Sequence, residues 1–274
     1  MIPTLIKKDT IIIKSKKIRI FLTFLILIFY SALSFFLNAQ TSVIDLGELW
    51  RGKYEPRRIE EIRSMNNGTH YSVLEHDKIK NISAIVLYTY SNSDNREVII
   101  DSDQFPDKLK ISDYVFSNNE QKILLETLSD PIYRRSKQAI YWIYDMQLNQ
   151  LFKINDEKIQ EPLLSPDGSH VAYVLKRNLF VKNLLNQKIS QLTYDGDYQT
   201  INGITDWVYE EEFGFVRAFD WSPDSKKIAF MHFDESKVPI FSMDFYGNDN
   251  YPFPYMFRYP KAGENNSDVE LFIY

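Results

Sequence analysis

SPDGSHVAYV, residues 165–174, is the stretch whose reading decides the fold. Ser165-Pro166-Asp167-Gly168 is a tight turn by its chemistry. Pro presets φ at the second position, Asp bonds its own local backbone, and Gly accepts positive φ. Val171-Ala172-Tyr173-Val174 then reads as an apolar strand. The arrangement recurs at the same offset. Ser222-Pro223-Asp224-Ser225 precedes Ile228-Ala229-Phe230, and Ser117-Asn118-Asn119-Glu120 precedes Ile123-Leu124-Leu125. Met65-Asn66-Asn67-Gly68 precedes Tyr71-Ser72-Val73-Leu74, so the four turns start 52, 48 and 57 residues apart (65 to 117, 117 to 165, 165 to 222).

Further strand-like runs fill the intervals, among them Ala84–Tyr90, Glu97–Ile100, Ala139–Tyr144, Leu179–Asn183 and Lys188–Thr193. A period of roughly 50 residues holding about four strands describes one blade of a β-propeller. A β-sandwich would need the turn chemistry to repeat by coincidence, and the fixed turn-to-strand offset favours the propeller. The expectation is an all-β fold: an incomplete β-propeller of about four blades over residues 65–274, behind a charged lead-in at 40–64. Asp268–Tyr274 (DVELFIY) reads as a strand with no closing strand after it, so the chain is expected to be the front piece of a longer propeller.

Composition agrees. Aromatic residues make up 15% of the 274, a β-rich signature, and 25% charged residues with nine Gly exclude a low-complexity chain. There is no Cys, hence no disulfide, thiol nucleophile or thiolate metal site. The net charge of −5 conceals an asymmetry. Residues 1–39 hold six bases against Asp9, a net of +5, which leaves −10 on residues 40–274. An acidic body excludes a nucleic-acid partner, which needs basic stripes against phosphate, and suits cationic ligands such as peptide ammonium groups.

Ile20–Leu37 is an uncharged run of 18 residues behind the bases of 7–19. Positive flank plus apolar run is the export pattern. Residues 1–39 are therefore expected to form a signal peptide, with Ala39 at the cut, or a retained signal-anchor helix. Either places the body outside the cytoplasm, periplasmic, secreted or membrane-anchored.

No Gly-x-Ser-x-Gly occurs, and neither does a glycine-rich phosphate loop. His70, His76, His170 and His232 are scattered, the closest pair six residues apart, so no metal or cofactor is called for. One segment stands out: Thr205-Asp206-Trp207-Val208-Tyr209-Glu210-Glu211-Glu212-Phe213-Gly214. In a strand Glu211 and Glu212 would face opposite ways. In a helical turn they lie about 100° apart and can converge. Asp206 suits an N-cap, and Gly214 suits a helix stop. Residues 206–213 are thus expected to form a short helix inserted into a blade. Two carboxylates there can accept two of the three protons of an ammonium group. The plain alternative is three solvated Glu on an exposed turn.

DWVYEEEFG at 206–214, preceded by Asn202-Gly203-Ile204-Thr205, resembles the glutamate motif of the dipeptidyl peptidase IV family and its bacterial prolyl dipeptidyl peptidase relatives. Phe219-Asp220-Trp221-Ser222-Pro223-Asp224 is similar to the blade turn after that motif. Tyr259-Pro260-Lys261-Ala262-Gly263 is similar to the family's downstream YPKAG element, and Tyr133-Arg134-Arg135-Ser136 to its arginine-bearing strand. The resemblance implies an eight-bladed propeller followed by an α/β-hydrolase domain with a Ser-Asp-His triad. It implies release of dipeptides with Pro or Ala second from the amino end, and a homodimer. It also implies roles: Glu211 and Glu212 on the substrate's amino group, Glu210 in support, Arg134 on a substrate carbonyl. The triad and hydrolase domain lie beyond Tyr274 in such a scheme, so no residue of this chain is expected to be catalytic and the chain alone is expected to be inactive. The rival reading is a non-catalytic propeller that binds partners.

Overall fold

The computed structural model describes residues 16, 18–29, 31, 44–56, 61–77 and 79–274. Most of the expected signal or anchor segment lies outside these residues. Residues 18–29 are helical, and among the described residues no helix is long and apolar enough to cross a membrane. The chain divides into two compact units, Met1–Arg58 and Ile59–Tyr274. The first contains the helix α1 (Leu46–Trp50), capped by Asp45, whose Oδ1 accepts from the amide of Gly47.

The second unit is built from antiparallel sheets taken in chain order. The first sheet runs β1 (Arg63–Ser64), β2 (His70–Asp77), β3 (Ile82–Thr89), β4 (Asn92–Asp101). The second runs β5 (Ile111–Phe116), β6 (Lys122–Pro131), β7 (Lys137–Asp145), β8 (Gln150–Lys153). The third runs β9 (Gln160–Leu164), β10 (His170–Leu175), β11 (Asn178–Asn183), β12 (Ile189–Gln191). Each is a four-stranded meander, the blade form.

The fourth sheet departs from this pattern. β13 (Thr200–Asn202) and β14 (Phe219–Trp221) share one edge of β15 (Ile228–Asp234), and β18 (Asp268–Ile273) pairs along the other. An Ile204–Arg217 bridge closes the base of the excursion between β13 and β14, and the glutamate segment occupies that excursion. β16 (Ile240–Phe245) and β17 (Phe253–Arg258) form a separate hairpin between β15 and β18. The sequence reading assigned no element there. The signal was present: two aromatic-rich runs flank the turn-forming Gly247-Asn248-Asp249-Asn250.

Three of the recurring turns join the first and second strands of their sheets and the fourth joins β14 to β15, and all four share one hydrogen-bond pattern. The amide of the first turn residue donates to the carbonyl five residues on: Met65 to His70, Ser117 to Lys122, Ser165 to His170, Ser222 to Lys227. The fourth residue donates back to the first. That fourth residue is left-handed every time: Gly68 (φ 67°), Glu120 (55°), Gly168 (70°) and Ser225 (60°). Neighbouring turns also touch. Asn66 Nδ2 donates to the Asn118 carbonyl at 2.8 Å, and the Asp167 amide donates to Ser225 Oγ at 3.1 Å. The turns therefore line one end of the stack.

Between sheets lie three cores. Ile85, Ile100, Ile123, Leu125 and Trp142 pack between the first and second sheets. Leu124, Tyr141, Ile143, Val171 and Tyr173 pack between the second and third. Ala172, Val174, Leu179, Phe219 and Phe230 pack between the third and fourth. Alternate residues of one strand serve opposite cores: Val171 and Tyr173 face back, Ala172 and Val174 face forward. Burial on both faces is why VAYV reads as an unbroken apolar run and not an alternating one. A partial β-propeller is the observed fold.

Candidate functional site

The loop between β6 and β7 and the excursion before β14 both emerge at the end opposite the recurring turns. The excursion is helical over 207–213, with a π-type turn at Tyr209–Phe213. Its start and stop follow the sequence. Asp206 Oδ1 accepts from the Tyr209 amide at 2.9 Å, and Gly214 turns left-handed (φ 77°) while its amide donates to the Glu210 carbonyl at 3.2 Å. The widening to π geometry has no sequence signal. It sets successive side chains at a smaller angle than an α-turn does, which favours convergence of neighbouring carboxylates.

Aromatic rings hold this turn in place. Tyr209 meets Phe213 at 4.9 Å and Phe233 at 5.0 Å between ring centroids. Trp207 meets Tyr259 at 4.7 Å, so the DWVYEEE and YPKAG elements touch in space. Ser267 Oγ donates to Asp206 Oδ2, tying the same helix start to the segment before β18.

The three glutamates have three environments. Glu210 is 2% exposed, and its Oε1 accepts from the amides of Arg135 at 2.8 Å and Ser136 at 2.9 Å. A single carboxylate thus joins the helix between β13 and β14 of the fourth sheet to the β6–β7 loop of the second, 75 residues away in sequence. Glu211 Oε1 pairs with Arg134 Nη1 at 2.7 Å, and its Oε2 lies 3.8 Å from Arg135 Nη1. Glu212 is exposed and belongs to no ion pair among the described residues. The structure therefore brings Arg134 to Glu211 and the neighbouring Arg135 and Ser136 to Glu210, and leaves Glu212 beside them, open to solvent.

Sequence reasoning did not find the Arg135 and Ser136 amides, because backbone donors carry no residue-type signature. It also missed a cavity of 530 Å³ beneath the β16–β17 hairpin, lined by Tyr133, Arg177, Trp207, Glu210, Glu235 and Arg258 among others. Neither Glu211 nor Glu212 is in its wall. Arg177 Nη1 donates to Glu235 Oε2 at 3.0 Å there. Burial pushes the Glu235 carboxyl above its ordinary range, against the pull of Arg177. Burial, together with Tyr255, likewise raises the Tyr133 phenol. The histidines stay apart from this region: His170 bonds Ser169 and Asn183 beside its own turn, and His232 Nε2 lies 3.2 Å from Asp195. Among the described residues no group of His, Asp and Glu is arranged to hold a metal ion.

The chain resembles known proteins over most of its length. A family model described as dipeptidyl peptidase IV (DPP IV) N-terminal region matches residues 117–274. The chain is 37% identical over 194 residues to prolyl endopeptidase FAP of Mus musculus, covering 69% of this chain and 25% of that protein. It is 36% identical over 210 residues to dipeptidyl peptidase 4 of Felis catus, covering 73% and 27%. The crystal structure of Porphyromonas gingivalis dipeptidyl peptidase 4 superposes with a TM-score of 0.76 at 37% identity, covering 84% of this chain and 33% of that one. The chain thus spans about a quarter of the length of the curated relatives it matches.

Proposed function

Because this chain belongs to the dipeptidyl peptidase IV family and corresponds to its N-terminal propeller region, we propose that it holds the free amino end of a peptide for a serine dipeptidyl peptidase that releases Xaa-Pro and Xaa-Ala dipeptides. The observation that carries this reading is the assembly of Arg134, Glu210 and Glu211 from two separate sheets, with Glu212 unpaired beside them. Glu211 and Glu212 take the ammonium, and Arg134 takes the first carbonyl of the peptide. An internal amide offers no charge, so these carboxylates select chain ends. Fixing the ammonium also places one peptide bond, two residues on, at the nucleophile. The nucleophile, acid and histidine belong to the α/β-hydrolase domain expected downstream. The body is exported, periplasmic, secreted or membrane-anchored, in keeping with the basic and apolar N-terminal segment. It pairs with a second copy of itself.

The test uses the full reading frame and Gly-Pro substrates. Glu211→Ala and Glu212→Ala are each expected to lose most turnover. Wild-type-like rates in both variants would end the clamp reading. No turnover in the parent protein, with binding that still requires a free amino end, would select the non-catalytic propeller instead.

A further inference from the structure

Arg134 and Arg135 are adjacent but not equivalent. Arg134 spends its guanidinium on Glu211 at 2.7 Å. Arg135 is fixed by other means. Its amide is held by Glu210, and its Nη1 donates to the Glu210 carbonyl at 3.2 Å. The guanidinium lies over Gly214, where a Cβ would stand 3.9 Å from Nη2. Its Nε and Nη2 donate to no group among the described residues, and the side chain is 41% exposed. A guanidinium held in place with unspent forked donors is a ready partner for a carboxylate.

We propose that Arg135 is a specificity-determining residue that favours peptides whose first residue has an acidic side chain. This rests on the clamp reading. The side chain of residue 1 branches from the carbon bearing the ammonium. Arg135 Nη1 stands 3.8 Å from Glu211 Oε2, one of the oxygens that would receive that ammonium. An Asp or Glu side chain therefore begins beside the guanidinium that carries the free donors. The local charge agrees: three carboxylates face two guanidiniums, and the one facing solvent unpaired is Glu212. A zwitterionic first residue satisfies Glu212 through its ammonium and Arg135 through its side chain.

The experiment measures binding of Asp-Pro-Ala-amide and Asn-Pro-Ala-amide to the full-length protein, together with the N-acetylated forms and the free acid of the Asn peptide. The expected result is a two- to fivefold preference for Asp over Asn, the size of one exposed ion pair. It should shrink in high salt, and Arg135→Gln should abolish it, the readout being the ratio of Asp to Asn affinity within each variant. Arg135→Lys, which keeps the charge but loses the fork, should retain part of it. Equal binding of Asp and Asn peptides, with acetylation still weakening both, overturns this proposal and spares the clamp. Indifference to acetylation overturns both. A preference that survives Arg135→Gln, or a free acid of the Asn peptide that binds Arg135 better than its amide does, overturns the assignment to the first side chain. Should Arg135→Gln fail to fold, the salt-sensitive Asp/Asn contrast in the unmodified protein decides the matter.

Discussion

Replacing Glu210 by Ala should damage stability far more than replacing either neighbouring glutamate. The carboxylate is 2% exposed and serves two amides, at 2.8 Å and 2.9 Å, one of them on Ser136, itself buried at 5% exposure. A hydrogen bond to a charged group contributes about 1.5–3 kcal/mol, and a buried donor left unpaired costs about 1–3 kcal/mol. Part of that returns, because the deleted carboxylate need no longer be stripped of water. A net loss of about 2–4 kcal/mol follows. For a unit of about 200 residues each kcal/mol moves Tm by roughly 2–4 °C, so Glu210→Ala should melt roughly 5–15 °C lower. Glu210→Gln keeps an acceptor at Oε1 and should lose about 1 kcal/mol. Glu212→Ala, at an exposed site with no ion pair among the described residues, should stay within about 0.5 kcal/mol. Thermal unfolding followed by circular dichroism compares the three. The reasoning fails if Glu210→Ala melts within 2 °C (about 0.5 kcal/mol) of the unmodified protein, or if the Gln and Ala variants are equally damaged.

Two further outcomes are expected. At Asp167 burial opposes the charged form, but bonds from Ser165 Oγ and from the amide and hydroxyl of Ser169 hold the carboxyl down at about 2. With a folded pKa below the unfolded value of about 3.9, its contribution is complete above pH 4 and disappears as pH falls from about 4 to 2. Discounted for solvent exposure this is about 1 kcal/mol. Asp167→Asn should lose that amount at pH 7 in urea unfolding and show a shallower acid limb between pH 4 and 2. The β16–β17 hairpin exposes Phe245, Tyr246, Tyr251 and Phe253, and among the described residues neither strand pairs with another sheet. A lone two-stranded hairpin is marginal in water, and the second copy proposed above would cover these rings. On that proposal Phe245→Asp should shift the protein toward a lower sedimentation coefficient in sedimentation velocity, and an unchanged coefficient would count against pairing through this hairpin.

The sheets were legible in the sequence because their information is local. A turn of four residues fixes its own φ pattern, and Gly168 shows it in residue type. The degenerate copies succeed without that residue: Glu120 and Ser225 adopt the same left-handed backbone at φ 55° and 60°. In these copies the strand and the turn's hydrogen bonds outweigh the modest cost of the conformation. The short helix was legible for the same reason, since Asp206 and Gly214 act within one turn of the residues they cap. The hairpin was not, because its strands leave the blade period and pair only with each other. The Glu210 contact was not either. Its two ends lie 75 residues apart, and its donors are main-chain groups that any residue carries.

That same non-local contact explains where the candidate site stands. Arg134 lies in a loop of the second sheet and Glu211 in an excursion of the fourth, so the third sheet is the spacer that sets their separation. Its two faces are fully committed, Val171 and Tyr173 to one core and Ala172 and Val174 to the other, all at 0% exposure. Close-packed interiors transmit a change of even one methylene. The distance between Arg134 and Glu211 is therefore fixed by the packing of β10 as much as by either loop. The repeat is a means of holding two irregular loops at one spacing, and the sequence signals it most clearly at the turns, at the opposite end from where the ligand would bind.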